Sequence, residues 1–263
     1  MAASTAAFDG VAERYDEIFT ESVIGRAQRR AVWRELERML TPGQRVLEIN
    51  CGTGVDAMCM AERGVEVDAC DISPRMIDVA KRRREQQAPR AAVTFFVQAI
   101  ERLEHLDGSY DGVLSNFGGL NCVSDLGAAA TQLARLIRPG GFLVMCLAGR
   151  FCAWEVAWYA MRGEIAKATR RLGGEADGRL NETTLRVYYR TVAELTRAFA
   201  PAFRVIRRRG IGVLVPPTYA ENWARRTPGA IGVAAGADRV LSRVQLVRAA
   251  SDHVLLVMER TRS

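Results

Sequence analysis

A short apolar stretch that ends in a glycine-rich turn constrains the fold of this chain more than any other feature. Residues 45–54 read RVLEINCGTG, with glycine at positions 52 and 54. Glycine has no Cβ atom, so the backbone there can approach a ligand closely, and the helix expected after the turn offers free N–H groups. The pattern predicts a buried strand, a turn and a helix that together bind a nucleoside-containing cofactor.

An aspartate directly follows the next apolar stretch of the sequence. Residues 65–70 are predicted to form a second strand, and Asp71 follows them directly. In a doubly wound sheet the second strand lies beside the first, and an acid at its carboxyl end can accept the hydrogen bonds of a ribose diol. We therefore expect Asp71 to bind the ribose of the cofactor.

Two cofactor classes are compatible with the turn itself. Gly52, Gly54 and Ala57 satisfy the dinucleotide pattern with alanine in its third place, which would favour NAD. The strand also carries an acid, Glu48, before Asn50. The layout Glu-x-Asn-x-Gly-x-Gly resembles the acid-x-Gly-x-Gly-x-Gly signature of class I S-adenosylmethionine-dependent methyltransferases.

Further segments occur in the order that this family uses. Residues 108–116 are similar to the approach to its fourth strand and the strand itself, and residues 133–145 to the following helix, turn and fifth strand. Residues 8–16 are similar to the segment that covers the cofactor in many members that act on small molecules. The resemblance, to methyltransferases of type 11 or 25, covers most of the chain and is strongest in residues 1–150.

The alternation of strand and helix patterns predicts an α/β fold with a parallel sheet. Strands are expected near 45–50, 65–70, 93–98, 110–115, 141–147 and 203–206, with a last strand over 252–258, and helices near 54–63, 74–87, 124–138 and 191–199. The resemblance implies a Rossmann-like doubly wound sheet of seven strands in the order 3-2-1-4-5-7-6, with the last strand antiparallel.

We expect one domain over residues 1–263, with residues 1–40 as an N-terminal helical cap. Residues 150–190 and 212–250 are predicted to be insertions that close over the strand tips as a lid for an organic substrate. In the first insertion an apolar stripe at helical spacing would pack either on the edge of the sheet or in the lid; its members are Trp154, Trp158, Met161 and Ile165. Residues 184–190 would add a strand to this lid.

The resemblance also implies roles for single residues. Glu48 would hold the methionine amino group, Asp71 the ribose, and Ile72 with Met76 the faces of the adenine. The complete set expected to contact the cofactor is Tyr15, Glu48, Asn50, Cys51, Gly52, Thr53, Gly54, Asp71, Ile72, Met76, Ala99, Ile100, Asn116 and Phe117.

The chain departs from the family pattern at two positions. Asn50 replaces the first motif glycine, a change that is tolerated because asparagine enters left-handed backbone conformations readily. Ala99 stands where the family often has an acid that binds the adenine amine. The adenine would then depend on backbone groups near Ala99 and Ile100, with Gln98 or Glu101, and a degenerate cofactor site stays open as an alternative.

The implied reaction is transfer of a methyl group from S-adenosylmethionine to a small organic acceptor by in-line displacement, with S-adenosylhomocysteine as the product. If the acceptor must lose a proton, the candidate bases are Tyr188, Tyr189 and His253. The alternatives are a methyltransferase acting on RNA or protein, an NAD-dependent oxidoreductase, and a non-catalytic cofactor-binding module.

The composition of the chain restricts the classes of partner that it is expected to bind. The net charge of +7 comes from scattered arginines, and the basic runs at 81–84 and 207–209 lack interleaved aromatic residues, so solvated faces are favoured over a nucleic-acid surface. Six cysteines without a CxxC pair predict buried free thiols, and two distant histidines predict no metal site. With no membrane-length apolar run and no secretory signal, a cytoplasmic location and no membrane partner are expected. The sequence makes no prediction of oligomeric state.

Overall fold

The central element of the fold is a mixed sheet. Within residues 2–180 and 183–262, which a computed structural model describes, the chain forms a seven-stranded sheet and a separate two-stranded hairpin. The strands are β1 Arg45–Ile49, β2 Glu66–Asp71, β3 Val93–Val97, β4 Tyr110–Ser115, β5 Ile137–Ala148, β6 Glu175–Leu180, β7 Thr183–Tyr188, β8 Phe203–Ile211 and β9 His253–Arg260.

The spatial order of the large sheet is β3-β2-β1-β4-β5-β9-β8. The first five strands pair in parallel, and β9 is antiparallel to both of its neighbours, β5 and β8. Because β8 and β9 are the sixth and seventh strands of this sheet along the chain, the arrangement confirms the predicted order and the antiparallel last strand. The carboxyl ends of β1, β2 and β4 meet at one edge, where the glycine turn follows β1.

Helices cover both faces of the sheet and extend beyond it. Their bounds are α1 Ala2–Asp9, α2 Val23–Leu36, α3 Val55–Ala61, α4 Pro74–Gln87, α5 Leu126–Leu136, α6 Ala153–Ala160, α7 Ile165–Thr169, α8 Val192–Phe199, α9 Glu221–Arg226, α10 Pro228–Leu241 and α11 Gln245–Arg248. Apolar side chains of α5 and α8 pack on one face of the sheet, and those of α2, α3 and α4 on the other. These two layers form the core.

Local sequence explains where the helices beside the site begin. The Ser73 hydroxyl accepts a hydrogen bond from the Met76 N–H, and Pro74 occupies the first turn of α4. Ser22 caps α2 in the same way through the Gly25 N–H. Such caps satisfy N–H groups that a helix leaves free at its start. They fix the starts of α2 and α4, whereas α3, which follows the glycine turn directly, begins after Gly54 without a side-chain cap.

The apolar stripe predicted for the first insertion does not lie on one continuous helix. α6 ends at Ala160, and Gly163, whose φ is +72°, separates it from α7. Trp158 packs in a small apolar cluster with residues of α2, α9 and α10, whereas Met161 is 76% exposed and Ile165 59% exposed. The prediction of a single helical stripe was therefore wrong, because the left-handed turn at Gly163 redirects the chain.

The described residues also bear on the predictions about thiols, metals and membranes. All six cysteines have free thiols, and in the described part of the chain no cluster of three or more histidine, cysteine, aspartate or glutamate side chains could hold a metal ion. No helix among residues 2–180 and 183–262 is long and apolar enough to cross a membrane.

Candidate cofactor site

The glycine turn adopts the backbone conformation that its sequence predicts. Gly52 and Gly54 have φ values of +53° and +76°, and Asn50 has a φ of +56°. Left-handed backbone is accessible to glycine and, among other residues, most readily to asparagine. The replacement of the first motif glycine by Asn50 therefore leaves the turn intact.

Asp71 lies at the end of β2 and is fixed by the turn. Its Oδ2 accepts a hydrogen bond from the Gly52 N–H at 2.9 Å, and its Oδ1 accepts one from the Ser73 N–H at 2.9 Å. Burial raises the pKa of this carboxyl above its ordinary value, against the lowering effect of these backbone donors. Each oxygen keeps a further lone pair. Asp71 can thus accept two additional hydrogen bonds from a ligand while its position is held by the backbone.

An open cleft with a volume of about 90 Å³ lies beside Asp71 at the carboxyl edge of the sheet. A smaller hollow shares five lining residues with this cleft, namely Tyr15, Asn50, Gly52, Asn116 and Phe117. Together the two are lined by most residues predicted to contact the cofactor, namely Tyr15, Glu48, Asn50, Cys51, Gly52, Thr53, Asp71, Ile72, Met76, Ile100, Asn116 and Phe117.

Two predicted residues lie outside this lining. A Cβ atom on Gly54 would lie 2.6 Å from the Phe95 ring, so this glycine permits close packing of the turn against β3. Ala99 precedes the short 3₁₀ helix Ile100–His105, and neither the cleft nor the hollow includes it. Ile100 and the exposed Glu101 line the cleft instead. Of the two side chains considered for the adenine, only Glu101 therefore reaches the cleft.

Glu48 is the most unusual polar group of the site. It is 1% exposed, and its Oε2 has no hydrogen-bond partner among the described residues. Burial, followed by the nearby negative charge of Asp56, raises the pKa of Glu48 well above its ordinary value. A buried carboxylate oxygen without a partner is costly unless a donor arrives. The arrangement fits a ligand that brings a cationic or N–H donor to the hollow.

The N-terminal segment is tied to the turn by polar contacts. Asp16 accepts a hydrogen bond from the Thr53 hydroxyl at 2.7 Å and forms an ion pair with Arg83, whose Nε donates to the Thr53 carbonyl at 2.9 Å. Asp9 accepts from the Ser73 hydroxyl at the start of α4. Arg83, within the basic run 81–84, is therefore partly buried and does not belong to a solvated face.

Tyr15 is brought to the cleft by the same segment. Its ring lies about 4.0 Å from the position that a Cβ atom on Gly52 would occupy. Burial raises the pKa of Tyr15 to about 12, so its hydroxyl is neutral at physiological pH and can donate a hydrogen bond. The cap predicted for the N-terminal segment thus contributes a neutral aromatic wall to the site.

A buried polar cluster below the turn was not predicted from the sequence. Asp56 on α3 forms an ion pair with Arg29 of α2, and accepts hydrogen bonds from Trp33 Nε1 at 2.6 Å and Asn116 Nδ2 at 2.9 Å. The Arg29 guanidinium also lies 5.1 Å from the centre of the Phe117 ring. Arg29 and Asp56 are 27 residues apart in sequence, and neither carries a local motif. The cluster fixes Asn116 and Phe117 at the end of β4.

The three candidate bases occupy different surroundings. Tyr188 and Tyr189 line a separate, more open depression beside Arg150 and Glu194, and neither belongs to the described lining of the cleft. His253 begins β9 and meets the Phe117 ring edge-on at a centroid distance of 5.6 Å. Its Nδ1 lies 3.2 Å from Asp252 Oδ2. Of the three, His253 is the one in contact with a cleft residue.

Comparison with known proteins agrees with this geometry. Residues 46–141 match the family model described as a methyltransferase domain. A demethylmenaquinone methyltransferase of Beutenbergia cavernae is 39% identical over 141 residues, which cover 52% of this chain and 55% of that protein. The chain thus spans little more than half the length of this curated relative.

Solved structures share the fold at low sequence identity. The CcbJ methyltransferase from Streptomyces caelestis superposes with a TM-score of 0.66 at 18% identity, covering 98% of both chains. The cyclase SpnF superposes with a TM-score of 0.60 at 17% identity, covering 89% of this chain and 81% of its own. With the glycine turn and the sheet order, these likenesses lead to one conclusion: the chain has the fold of these solved structures, and its residues 46–141 match the methyltransferase-domain family.

Proposed function

We propose that this protein binds S-adenosylmethionine in the cleft and transfers its methyl group to a small organic acceptor. The observation that carries the proposal is the unpartnered Oε2 of buried Glu48, at the end of a cleft whose other side holds Asp71. One acid would accept from the methionine amino group and the other from the ribose hydroxyls. A nucleoside joined to an amino acid satisfies both.

The remaining cleft residues would orient the cofactor. Ile72 and Met76 offer apolar surfaces for the adenine faces, and Glu101 supplies a carboxylate near the ring in place of the acid missing at Ala99. Asn116 and Phe117, held by Asp56 and Arg29, would face the methyl group and the acceptor. Tyr15 would close the site from the side of the N-terminal segment.

The bound cofactor supplies an activated methyl group on a positively charged sulfur. The task of the protein is then alignment, which can contribute roughly 7–11 kcal/mol to the acceleration of a two-reactant step. For an acceptor that must lose a proton, His253 is the favoured base because it adjoins Phe117, and the carboxylate of Asp252, 3.2 Å from its Nδ1, would stabilise the protonated ring. The curated relatives named demethylmenaquinone methyltransferases support a small organic acceptor.

We further propose that residues 150–190 act as a lid. Leu180, at the end of β6, packs in an apolar cluster with Phe8, Tyr15 and Met76, all of which line the cleft. The hairpin thus reaches the cofactor side of the sheet. The role of residues 212–250 as a second part of the lid stays a prediction, since their apolar side chains pack on α2 and beside Trp158.

Calorimetric titration with S-adenosylhomocysteine, and with NAD in parallel, tests the cofactor. We expect micromolar binding of S-adenosylhomocysteine alone, and a loss of roughly 10- to 150-fold in Asp71→Ala, because a hydrogen bond to a charged group contributes about 1.5–3 kcal/mol. Asp78→Ala, which removes an exposed carboxylate from α4 outside the cleft, is the matched control. Preferential binding of NAD, or unchanged affinity in Asp71→Ala, would contradict the proposal.

A screen for methyl acceptors tests the activity. Since the cyclase SpnF shares this fold, the fold by itself does not establish methyl transfer. Transfer from radiolabelled S-adenosylmethionine to quinol and phenol acceptors is the expected result. Labelling confined to RNA or protein would favour the macromolecular alternative, and tight cofactor binding without any labelled acceptor would favour a binding module.

A further inference from the structure

A second cavity lies on the far side of α2 from the cofactor cleft. It has a volume of about 250 Å³ and is bounded by α2, α10 and the sheet-edge strand β8, and it shares no lining residue with the cleft. Small residues such as Ala31, Gly210 and Ala235 leave the space, and arginines line it. We call it the arginine cavity.

The charges of the arginine cavity are unbalanced. Five arginines line it, namely Arg34, Arg38, Arg209, Arg239 and Arg243. The acids in the lining are Glu35 and Asp238. A space of this size with five guanidinium groups and two carboxylates carries an excess of positive charge.

Both acids are already engaged. Glu35 forms ion pairs with Arg38 at 2.8 Å, Arg209 at 3.2 Å and Arg207 at 3.4 Å. Asp238 accepts hydrogen bonds from the backbone N–H groups of residues 213–215 at 2.8–3.2 Å. Their remaining capacity to neutralise the other arginines is therefore small.

Three arginines are left without a partner. Within residues 2–180 and 183–262, the guanidinium groups of Arg34, Arg239 and Arg243 donate no hydrogen bond and form no ion pair. Burial, followed by the positive charge of Arg239, lowers the pKa of Arg34 below its ordinary value. Guanidinium groups that face one space repel each other unless an anion separates them.

The floor of the cavity adds an unpaired acceptor. Gln28 is 1% exposed and donates from Nε2 to Asp252 Oδ2 at 3.2 Å and to the Pro216 carbonyl at 3.3 Å, whereas its Oε1 has no partner among the described residues. A Cβ atom on Gly212 would lie 2.7 Å from Gln28 Nε2, so glycine is needed to keep this arrangement. A ligand with a hydroxyl or amine donor would satisfy the free oxygen.

We propose that the arginine cavity binds a small phosphate-bearing compound, with its phosphate or diphosphate between Arg34, Arg239 and Arg243 and a hydroxyl or amine donor toward Gln28. The guanidinium fork matches phosphate oxygens in pairs. The volume lies slightly below the roughly 300–1,000 Å³ of pockets for drug-sized ligands, which favours a compact diphosphate or phosphorylated alcohol over a dinucleotide. The proposal is independent of methyl transfer.

Calorimetric titration of the full chain with inorganic pyrophosphate, at constant ionic strength, tests the site. We expect saturable one-to-one binding that weakens by about tenfold or more in Arg239→Gln/Arg243→Gln. The variant loses hydrogen bonds between guanidinium groups and phosphate oxygens, and such bonds between ionised groups are stronger than neutral ones. Both arginines are exposed, so the variant should fold. Arg26→Gln/Arg30→Gln removes the same charge from exposed positions of α2 outside the cavity and should bind as the unmodified chain does.

Absence of saturable binding would overturn the proposal, as would equal affinity in the two double variants. Sedimentation with phosphatidylcholine vesicles that contain phosphatidic acid then identifies the source of the phosphate. Vesicle binding that pyrophosphate displaces, and that the cavity variant loses, assigns the site to a lipid headgroup. Pyrophosphate binding without vesicle binding assigns it to a soluble compound. Titration with S-adenosylhomocysteine reports the cofactor cleft separately, so failure of one proposal leaves the other intact.

Discussion

Two pairs of buried acids in this molecule have opposite electrostatics. In the cofactor cleft, burial raises the pKa values of Glu48 and Asp71 above their ordinary values. Beneath the first insertion, burial acts in the same direction on Glu155 and Asp252, but their partners hold both pKa values below the ordinary range. For Glu155 these partners are Arg170 and Arg171, and for Asp252 they are His253 followed by Arg171. Carboxyl groups with similar burial therefore have pKa values shifted in opposite directions, and the direction depends on whether a cationic side chain contacts the group.

The contacts explain the difference. Glu155 accepts hydrogen bonds from Arg170 and Arg171 at 2.8–3.0 Å, and Arg171 Nη2 also donates to Asp252 Oδ1 at 2.9 Å. This network joins the insertion to the start of β9. Among the described residues, Glu48 forms no ion pair and its Oε2 has no hydrogen-bond partner, although the charge of nearby Arg29 acts to lower its pKa. The paired acids are suited to hold the structure together, and the unpaired acid is suited to bind a ligand.

The largest expected effect comes from breaking the paired cluster. Arg171→Met leaves both Glu155 and Asp252 with a buried, partly uncompensated charge, and removal of one partner of a buried pair costs about 3–5 kcal/mol. The free energy of unfolding in urea measures this. Arg186→Met is the control: its ion pair with Asp177 at 3.2 Å is exposed, and such pairs contribute about 0–1 kcal/mol. Equal losses in the two variants would contradict a structural role for the cluster.

A smaller loss of stability is expected from alanine substitutions in the glycine turn, and it should differ between Gly54, which permits close packing, and Gly52, which lines the cleft. Alanine at Gly54 or Gly52 is strained because both φ values are positive. At Gly54 the added Cβ would also meet the Phe95 ring at 2.6 Å, whereas at Gly52 the nearest atom is in Tyr15 at 4.0 Å. Gly54→Ala should therefore destabilise the fold by about 1–3 kcal/mol more than Gly52→Ala.

Titration of the same two variants with S-adenosylhomocysteine completes this test. Gly52→Ala places a methyl group in the lining of the cleft and should weaken binding, while Gly54 lies outside the lining. Folded Gly54→Ala should bind more tightly than Gly52→Ala. The reverse order would show that Gly54, as predicted from the family pattern, belongs to the binding surface.

Those features of the cleft that depend on short segments of the chain could be predicted from the sequence. The turn after β1 needs residues that tolerate positive φ, and Asp71 ends a strand that must lie beside β1, so both features follow from short segments. The sheet order followed from the resemblance and from the alternation of strands and helices. Caps such as Ser73 before Pro74 are also local signals.

Contacts between distant segments could not be predicted in this way. The ion pair of Arg83 with Asp16 and that of Arg29 with Asp56 depend on side-chain directions set by the packing of whole helices. The arginine cavity collects charges from α2, β8 and α10, and no short motif marks it. In the first insertion, periodicity alone predicted one helical stripe, but the positive φ of Gly163 ends the helix and separates the residues of that stripe.

The smallest expected effect concerns the pH dependence that Glu48 imposes on stability. Because its pKa is raised in the folded state, folding favours the protonated carboxyl, and the folded state loses stability as the pH rises from the ordinary value of 4.5 toward the raised value. Glu48→Gln removes this titration. Its free energy of unfolding, relative to the unmodified chain, should therefore increase between pH 5 and pH 8, and its affinity for S-adenosylhomocysteine should fall.

Glu155→Gln is the matched variant with the opposite sign. The pKa of Glu155 is lowered in the folded state, so its stabilising contribution is present above the ordinary value of 4.5 and is lost as the pH falls through the lowered value. Glu155→Gln should therefore destabilise the chain at neutral pH, by an amount that shrinks on acidification. Urea unfolding at several pH values compares the two variants. If both responded to pH in the same direction, the distinction between a ligand-binding acid and a structural acid would fail, because the arginine partners would then have no effect on the sign.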